Sequence, residues 1–374
     1  MSSLLRHPRR LCCLLVALSA LLPVARAAEV PRGLVLPPGF TISLWAELED
    51  ARTLVLGADG RTVYVGSRRA GTVTALRDTD GDGRADARWT LATGLSMPNG
   101  LAVRADALYV ADVDRLLRFA RIEASFGQPI APQVLRKDLP RDNAHGWRYL
   151  AFGPDGKLYL SIGAPCNVCE APGYAELRRM DAEGRDEETV ARGLRNSVGF
   201  AWRPGTRELW LTDNGRDWLG DDQPPDEIDI LITPGAHFGF PYCHGGRLPD
   251  PQFGRGRSCD DYSAPALRLD AHVAPLGILF YGGSQFPAGY RGRVFVAEHG
   301  SWNRSRKSGY RVMMADVVDG RPEDYRPFLL GFERDGEVSG RPAYLLELPD
   351  GSLLLSDDQG GRIYRIRYSG GNGG

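Results

Sequence analysis

Four short constellations in this chain carry residue types suited to chemistry. His145 stands in the polar loop Asp142-Asn143-Ala144-His145-Gly146-Trp147, and a neutral imidazole is a suitable general base near neutral pH. Gly193-Leu194-Arg195-Asn196-Ser197 joins a forked cation to an amide, a pairing that suits carboxylates or a developing oxyanion. Thr212-Asp213-Asn214-Gly215-Arg216 is followed closely by Asp221, Asp222, Asp226, Glu227 and Asp229; Ca²⁺ takes such mixtures of carboxylate and carbonyl oxygen. The fourth, Asp78-Thr79-Asp80-Gly81-Asp82-Gly83-Arg84-Ala85-Asp86, resembles the first nine positions of an EF-hand loop. That loop needs a bidentate Glu at its twelfth position, where this chain has Trp89, so the segment reads as an Asp/Gly turn able to hold at most one structural Ca²⁺. Taken singly, each has a plain structural reading: a turn histidine, an internal salt bridge, a solvated acidic loop. Nucleophile-elbow, Walker A and Rossmann signatures are missing in any strand–helix context. An enzyme built on this chain must therefore use a metal, a preformed cofactor or simple acid–base chemistry.

The elements that must position these loops are strands. One pattern recurs: an apolar strand, a turn with Pro, Asp or Gly, then a second strand carrying a large side chain. It occurs as LVLGADGRTVYVGS (54–67), LAVRADALYVADV (101–113), AFGPDGKLYLSIG (151–163), FAWRPGTRELWLTDNG (200–215), FPAGYRGRVFVAEHG (286–300) and LLELPDGSLLLSDD (345–358). Aligning Tyr64, Tyr109, Tyr159, Trp210, Phe295 and Leu354 gives steps of 45, 50, 51, 85 and 59 residues. Steps near 45–50 suit one four-stranded propeller blade each, and the long step implies an insertion over roughly 214–275. Tyr174 to Glu188 is the best helical candidate and is too charged to anchor a core. The expectation is an all-β, six-bladed β-propeller over 35–368. Its ring needs closing, because an open blade leaves an exposed strand edge. Phe40 to Glu47 is an orphan strand ahead of the first repeat, and Arg362 to Tyr368 ends the last repeat without a partner. The N-terminal strand is predicted to complete the C-terminal blade, with a disordered glycine-rich tail over 369–374.

Composition narrows the partners. The 374 residues include 46 basic and 47 acidic ones, so no basic face is available for nucleic acid. Arg6, Arg9 and Arg10, the apolar run Leu11–Val24 and Ala25-Arg26-Ala27 spell a secretory signal peptide over 1–27, too short to span a membrane. The mature chain is expected in the periplasm or secreted, without membrane insertion, as a monomer or homodimer. It keeps Cys166, Cys169, Cys243 and Cys259, an even count that suggests disulfides in an exported protein. Pairings 166–169 and 243–259 close short local loops and are preferred; the other two pairings stay open.

Read together and in order, the loops resemble the soluble pyrroloquinoline quinone (PQQ)-dependent sugar dehydrogenases, in their glucose/sorbosone dehydrogenase branch. The resemblance rests on His145 eight residues before Gly153-Pro154-Asp155-Gly156, on Gly193 to Phe200, and on Asp226-Glu227-Ile228-Asp229 leading to His237-Phe238-Gly239-Phe240-Pro241. Ala274-Pro275-Leu276-Gly277 and Gly340-Arg341-Pro342 complete it. It implies PQQ and Ca²⁺ as cofactors, a sugar substrate and an external electron acceptor. His145 matches the base that takes the sugar C1 hydroxyl proton. Arg195 matches the arginine beside the reactive quinone carbonyl and Asn196 its cofactor-binding neighbour. Gly215 and Arg216 match the carbonyls that hold Ca²⁺, Asp226 an acid near the cofactor, and Glu227 a structural calcium ligand. His272 falls where the family has a cofactor-contacting threonine, and Arg341 matches an arginine pairing with a PQQ carboxylate.

The chain departs from that pattern at three places. Ala144 replaces the aspartate before the histidine, and Ala343 replaces a second arginine of the last motif. The family's cofactor lysine falls in Gly300 to Lys307, where Lys307, Arg304 or Arg306 is the available substitute. Two other functions are compatible with the same ring. A Ca²⁺-dependent lactonase-type hydrolase would need carboxylates and amides converging on the channel centre, and a non-catalytic binding propeller would show exposed loop aromatics such as Trp218 and Trp302.

Overall fold

The computed structural model describes residues 29–128 and 130–370. The signal peptide assigned to 1–27 and the tail beyond Gly370 lie outside the described residues. Six four-stranded antiparallel units follow one another along the chain. Blade 1 is Ala51–Leu56, Thr62–Ser67, Val73–Arg77 and Ala87–Ala92; blade 2 is Gly100–Arg104, Ala107–Ala111, Leu116–Phe119 and Gln133–Arg136. Blade 3 is Leu150–Phe152, Leu158–Ile162, Glu176–Met180 and Glu188–Arg192, so the charged 174–188 stretch supplies a strand instead of a helix. Blade 4 is Gly199–Trp202, Leu209–Asp213, Glu227–Leu231 and Leu267–Arg268; blade 5 is Pro275–Phe280, Val294–Glu298, Arg311–Val318 and Arg321–Leu329. Blade 6 is Pro342–Glu347, Leu353–Asp357 and Arg362–Tyr368, joined by Phe40–Glu47. That last pairing, from Phe40 opposite Tyr368 to Glu47 opposite Arg362, closes the ring as expected. Ser369 departs from the disordered-tail expectation: its amide donates to the Gly39 carbonyl at 2.8 Å.

The aligned residues of the repeat explain why the blades stack. Tyr64, Tyr109, Tyr159, Trp210, Phe295 and Leu354 all lie on second strands and are all buried. Each belongs to a different apolar cluster, and each cluster packs one blade against the next. A large side chain at this position therefore serves as the wedge between neighbours, and burying it removes apolar surface worth about 1.5–3 kcal/mol per side chain from water. The fifth repeat differs from its sequence reading. Its first strand is Pro275–Phe280, while Phe286 to Tyr290 forms a turn with a short 3₁₀ segment, Ala288–Tyr290. The long insertion sits between the third and fourth strands of blade 4. It lays Ala236–His237 parallel to the outer strand of blade 3 and forms a small hairpin, Cys243–His244 with Leu248–Pro249. Disulfides join Cys166 to Cys169 and Cys243 to Cys259, the preferred pairing.

Polar spokes fill the channel on the ring axis. Asn99 Nδ2 donates to the Arg148 carbonyl at 2.7 Å and to Tyr344 Oη at 3.1 Å, while its Oδ1 accepts from Arg52 Nε and Thr53 Oγ1. Tyr344 Oη donates across the axis to the Val198 carbonyl, and Thr212 Oγ1 donates to Leu276 O at 2.7 Å. Among the described residues no helix is long and apolar enough to cross a membrane.

Candidate active site

Two sets of loops open on one end of the channel: those leading into the first strand of each blade and those leaving the second. Between them lies a cavity of about 420 Å³, within the range of small-molecule sites. Its lining brings together His145, Arg195, Asn196, Gly215, Asp226, His272 and Arg341, seven of the residues singled out in the sequence. Arg52, Arg68, Arg69, Trp147, Asp217, His299 and Trp302 join them. Arg216, Glu227 and Lys307 are not in the lining. The Arg216 side chain turns to Asp250, 2.5 Å away, which leaves the expectation for its main-chain carbonyl as it stood; Glu227 is buried in the blade 4 ladder, and Lys307 is exposed to solvent. Arg304, the alternative to Lys307, is held by Asp222 and the Ala271 carbonyl, and Arg306 is exposed. Arg52, Arg68 and Arg69, which the sequence reading did not single out, bring three further cations to the lining from blade 1.

His145 has a left-handed backbone, φ 48°, an uncommon conformation for a non-glycine residue and one that clusters at active sites. Its Nδ1 lies 2.7 Å from the Ala164 carbonyl. A carbonyl can only accept, so Nδ1 carries the proton and Nε2 keeps its lone pair. The Ala164 carbonyl thus orients the imidazole where Ala144 cannot. Burial and the nearby Arg195 charge push the pKa down to about 3, so the ring is neutral at physiological pH. Gly163 leaves the room this requires: a Cβ there would fall 2.6 Å from His145 Cβ.

Arg195 is saturated by protein acceptors. Nε donates to Asn167 O at 2.8 Å, Nη1 to Asn214 O at 3.2 Å and Gly215 O at 2.7 Å, and Nη2 to Asn167 Oδ1 at 3.0 Å and Asp217 Oδ2 at 3.1 Å. Its charge faces the cavity while its five donors hold the wall. Asp213 accepts the amides of Arg195 and Asn196, and Asp226 those of Gly215 and Ala274. Burial raises both carboxyls to about 7 against these hydrogen bonds. Asn196 Oδ1 is buried without a protein partner. Arg341 donates from Nε to His299 O at 3.0 Å and from Nη2 to the Gly300 and Ser301 carbonyls. His272 Nε2 lies 2.8 Å from Gly220 O.

A second histidine was missed in the sequence. His299 Nε2 meets Asp358 Oδ1 at 2.8 Å, and Asp358 Oδ2 meets Arg52 Nη1 at 2.5 Å. Burial lowers His299 to about 4 despite that carboxylate. Burial would raise Asp358, but His299, Arg52 and Arg68 hold it below the ordinary carboxylate range. The signal that reveals them is positional: Arg68, Asn214, His299 and Asp358 each directly follow a second strand, so the repeat itself marks the residues delivered to this rim.

Two oxygen-rich places remain. Asp213 faces Glu227 across the ladder, and Asp229 lies two residues further on the same face. Both Asp229 carboxylate oxygens are fully buried without a partner. Burial and the neighbouring acids raise Glu227 to about 8 and hold Asp229 well above the ordinary carboxylate range. Asp78, Asp80 and Asp82 bring one oxygen each within 4.8 Å of one another on an outer loop away from the cavity.

Comparison with known proteins places this geometry. A sequence model of the TrAA12-like family matches residues 34–327. An uncharacterized protein of Borreliella burgdorferi is 34% identical over 365 residues, covering 91% of this chain and 93% of its own. The calcium structure of Trichoderma reesei Carbohydrate-Active Enzymes Family AA12 superposes with a TM-score of 0.77 at 21% identity, covering 90% of this chain and 97% of its own. The holo form of the pyranose dehydrogenase PQQ domain from Coprinopsis cinerea gives 0.75 at 18% identity, with 90% and 98% covered. The PQQ-bound aldose sugar dehydrogenase of Streptomyces coelicolor gives 0.63 at 19%, with 89% and 99% covered. These structures share the propeller fold, and the family match over residues 34–327 shows that this chain belongs to the TrAA12-like family.

Proposed function

We propose that this protein is an exported PQQ- and Ca²⁺-dependent dehydrogenase that oxidises an aldose, sorbosone or a related sugar and passes the electrons to a separate acceptor. One observation carries the reading: a neutral imidazole with a free Nε2 faces a cavity lined by five arginines. The arginines are Arg52, Arg68, Arg69, Arg195 and Arg341, and they suit a compact polyanion such as a tricarboxylate quinone. The orphaned Asn196 Oδ1 is a further polar atom awaiting a ligand. The fold relatives from Coprinopsis and Streptomyces are described as PQQ-bound or as a PQQ domain, which supports the same reading.

His145 takes the proton from the sugar C1 hydroxyl through Nε2, and the Ala164 carbonyl steadies the imidazolium that results. PQQ, when bound, supplies the acceptor for the hydride that leaves C1. Arg195 and Arg341 hold positive charge against the cofactor's anionic groups, Asn196 and His272 line its seat, and Trp147 walls it from water. Gly215 O and Asp217 Oδ2 already accept from Arg195, so a Ca²⁺ beside the cofactor would draw on the second lone pair of Gly215 O and on the Arg216 main-chain carbonyl. Glu227 and Asp229 offer a second, structural seat, and the two unpartnered Asp229 oxygens fit it. Two disulfides suit an oxidising compartment.

The test is titration of the cofactor-free protein with PQQ and Ca²⁺, followed by absorbance and by dye reduction on adding glucose or sorbosone. Sugar-dependent bleaching of the dye is expected. PQQ binding with no reduction by any of a panel of aldoses overturns the reading.

A further inference from the structure

Two tryptophans stand in water at the lip of the cavity. Trp218 is 64% exposed and Trp302 66%, and no other tryptophan of the described residues is exposed. Their rings meet edge to face, 5.4 Å between centroids with the planes at 85°, and so form the two walls of a corner. Trp302 belongs to the cavity lining, and Trp218 directly follows Asp217, which does too. The corner is continuous with the site.

It is also built. Trp218 has φ 70°, a left-handed backbone that a bulky side chain rarely adopts. Contacts between the blade 4 and blade 5 loops brace it: Ser305 N donates to Asp221 Oδ1 at 3.0 Å, Arg304 Nη2 to Asp222 Oδ1 at 2.8 Å, and the His272 ring meets Gly220 O at 2.8 Å. An indole kept in solvent on a strained, braced loop gains nothing from packing, and exposed apolar surface beside a cavity marks a contact site.

We propose that this corner is a carbohydrate subsite: it receives the second ring of an oligosaccharide whose reducing-end sugar lies before His145. The inference rests on the sugar-dehydrogenase reading above and extends it to the substrate's length. The electron-rich indole face attracts the C–H face of a pyranose, and Asp222, whose side chain is 84% exposed, offers acceptors to its hydroxyls.

The experiment uses holoenzyme loaded with PQQ and Ca²⁺, assayed with glucose and maltose at saturating dye. Trp218→Gly removes the ring and suits the left-handed backbone. It should raise KM for maltose about tenfold more than KM for glucose, roughly one stacking contact. Trp218→Phe, which keeps an aromatic face, should recover most of the loss. Independently of turnover, maltotriitol, which cannot be oxidised at a reducing end, should quench tryptophan fluorescence in the wild type and not in Trp218→Gly. Equal KM changes for both sugars overturn the proposal, as does a rise in KM for the acceptor alone, which makes the corner a docking point for a redox partner. Glucose oxidation without a maltotriitol response sinks the subsite alone. A maltotriitol response without oxidation of any sugar leaves the subsite standing and sinks the dehydrogenase reading.

Discussion

Asn167 grips Arg195 at two points, its main-chain carbonyl accepting from Nε at 2.8 Å and its Oδ1 from Nη2 at 3.0 Å. The same side chain binds Asp217 twice, accepting from its amide at 2.8 Å and donating from Nδ2 to its carbonyl at 3.1 Å. Asn167 lies inside the loop closed by Cys166 and Cys169, so a covalent clip on blade 3 sets both the charge and the acid on the blade 4 side of the cavity.

Asn167→Ala is therefore expected to lower kcat by about ten- to a hundredfold, the cost of a group displaced by a fraction of a bond length. Asn167→Asp keeps the Oδ1 acceptor for Arg195 Nη2 and the Asp217 amide but sets a charged oxygen against the Asp217 carbonyl, so its activity should fall between those of the wild type and Asn167→Ala. Steady-state rates and PQQ affinity of both variants check this, and an effect on thermal stability alone, with rates unchanged, contradicts it.

Removing the base itself should be more severe. His145→Ala is expected to reduce kcat about 10²–10⁴-fold while PQQ still binds, because the arginines remain. Absorbance titration beside dye reduction separates the two effects.

The depressed histidines predict a pH dependence. The unfolded imidazole titrates near 6.5, but folded His145 titrates near 3 and His299 near 4. Between those values the unfolded chain binds more protons, so the cofactor-free protein loses stability as pH falls from about 6.5, each ring contributing up to about 1.4 kcal/mol per pH unit. Melting temperature against pH should show this slope, reduced in His145→Gln. For the same reason the acid limb of kcat/KM should lie below pH 5, and a limb near 6.5 contradicts the buried neutral ring.

Calcium removal tests the acids. If Glu227 and Asp229 hold the ion, a chelator should lower the melting temperature, with about 2.7 kcal/mol lost on withdrawing Ca²⁺ present at a hundred times its Kd. Asp229→Asn should blunt the response. A melting temperature indifferent to chelator and to added Ca²⁺ removes the structural ion.

The ring was legible because one physical demand repeats. Each blade needs a large buried wedge on its second strand, so Tyr64, Tyr109, Tyr159, Trp210, Phe295 and Leu354 recur at blade-length steps. Closure by Phe40–Glu47 was legible because a strand without a partner must find one. His145, Arg195 and Arg341 could be read from motifs that lie whole within one loop. His299 and Asp358 lie in no such motif, and their pair joins two blades 59 positions apart, so only their shared place directly after a second strand marks them. Lys307 was singled out only because the family's lysine falls in its loop; that loop is fastened to Asp221 and Asp222 and leaves the amine in solvent, while three arginines of blade 1 line the cavity.

The pairing of Phe40–Glu47 with Arg362–Tyr368 has a consequence for biosynthesis. The first strand of the ring waits on the last one, and the cavity draws Arg52 from near the beginning of the chain and Arg341 from near its end. No partial product lacking Arg362–Tyr368 can close the ring, so whatever ligand the cavity takes meets a complete pocket only after both ends of the ring have been made.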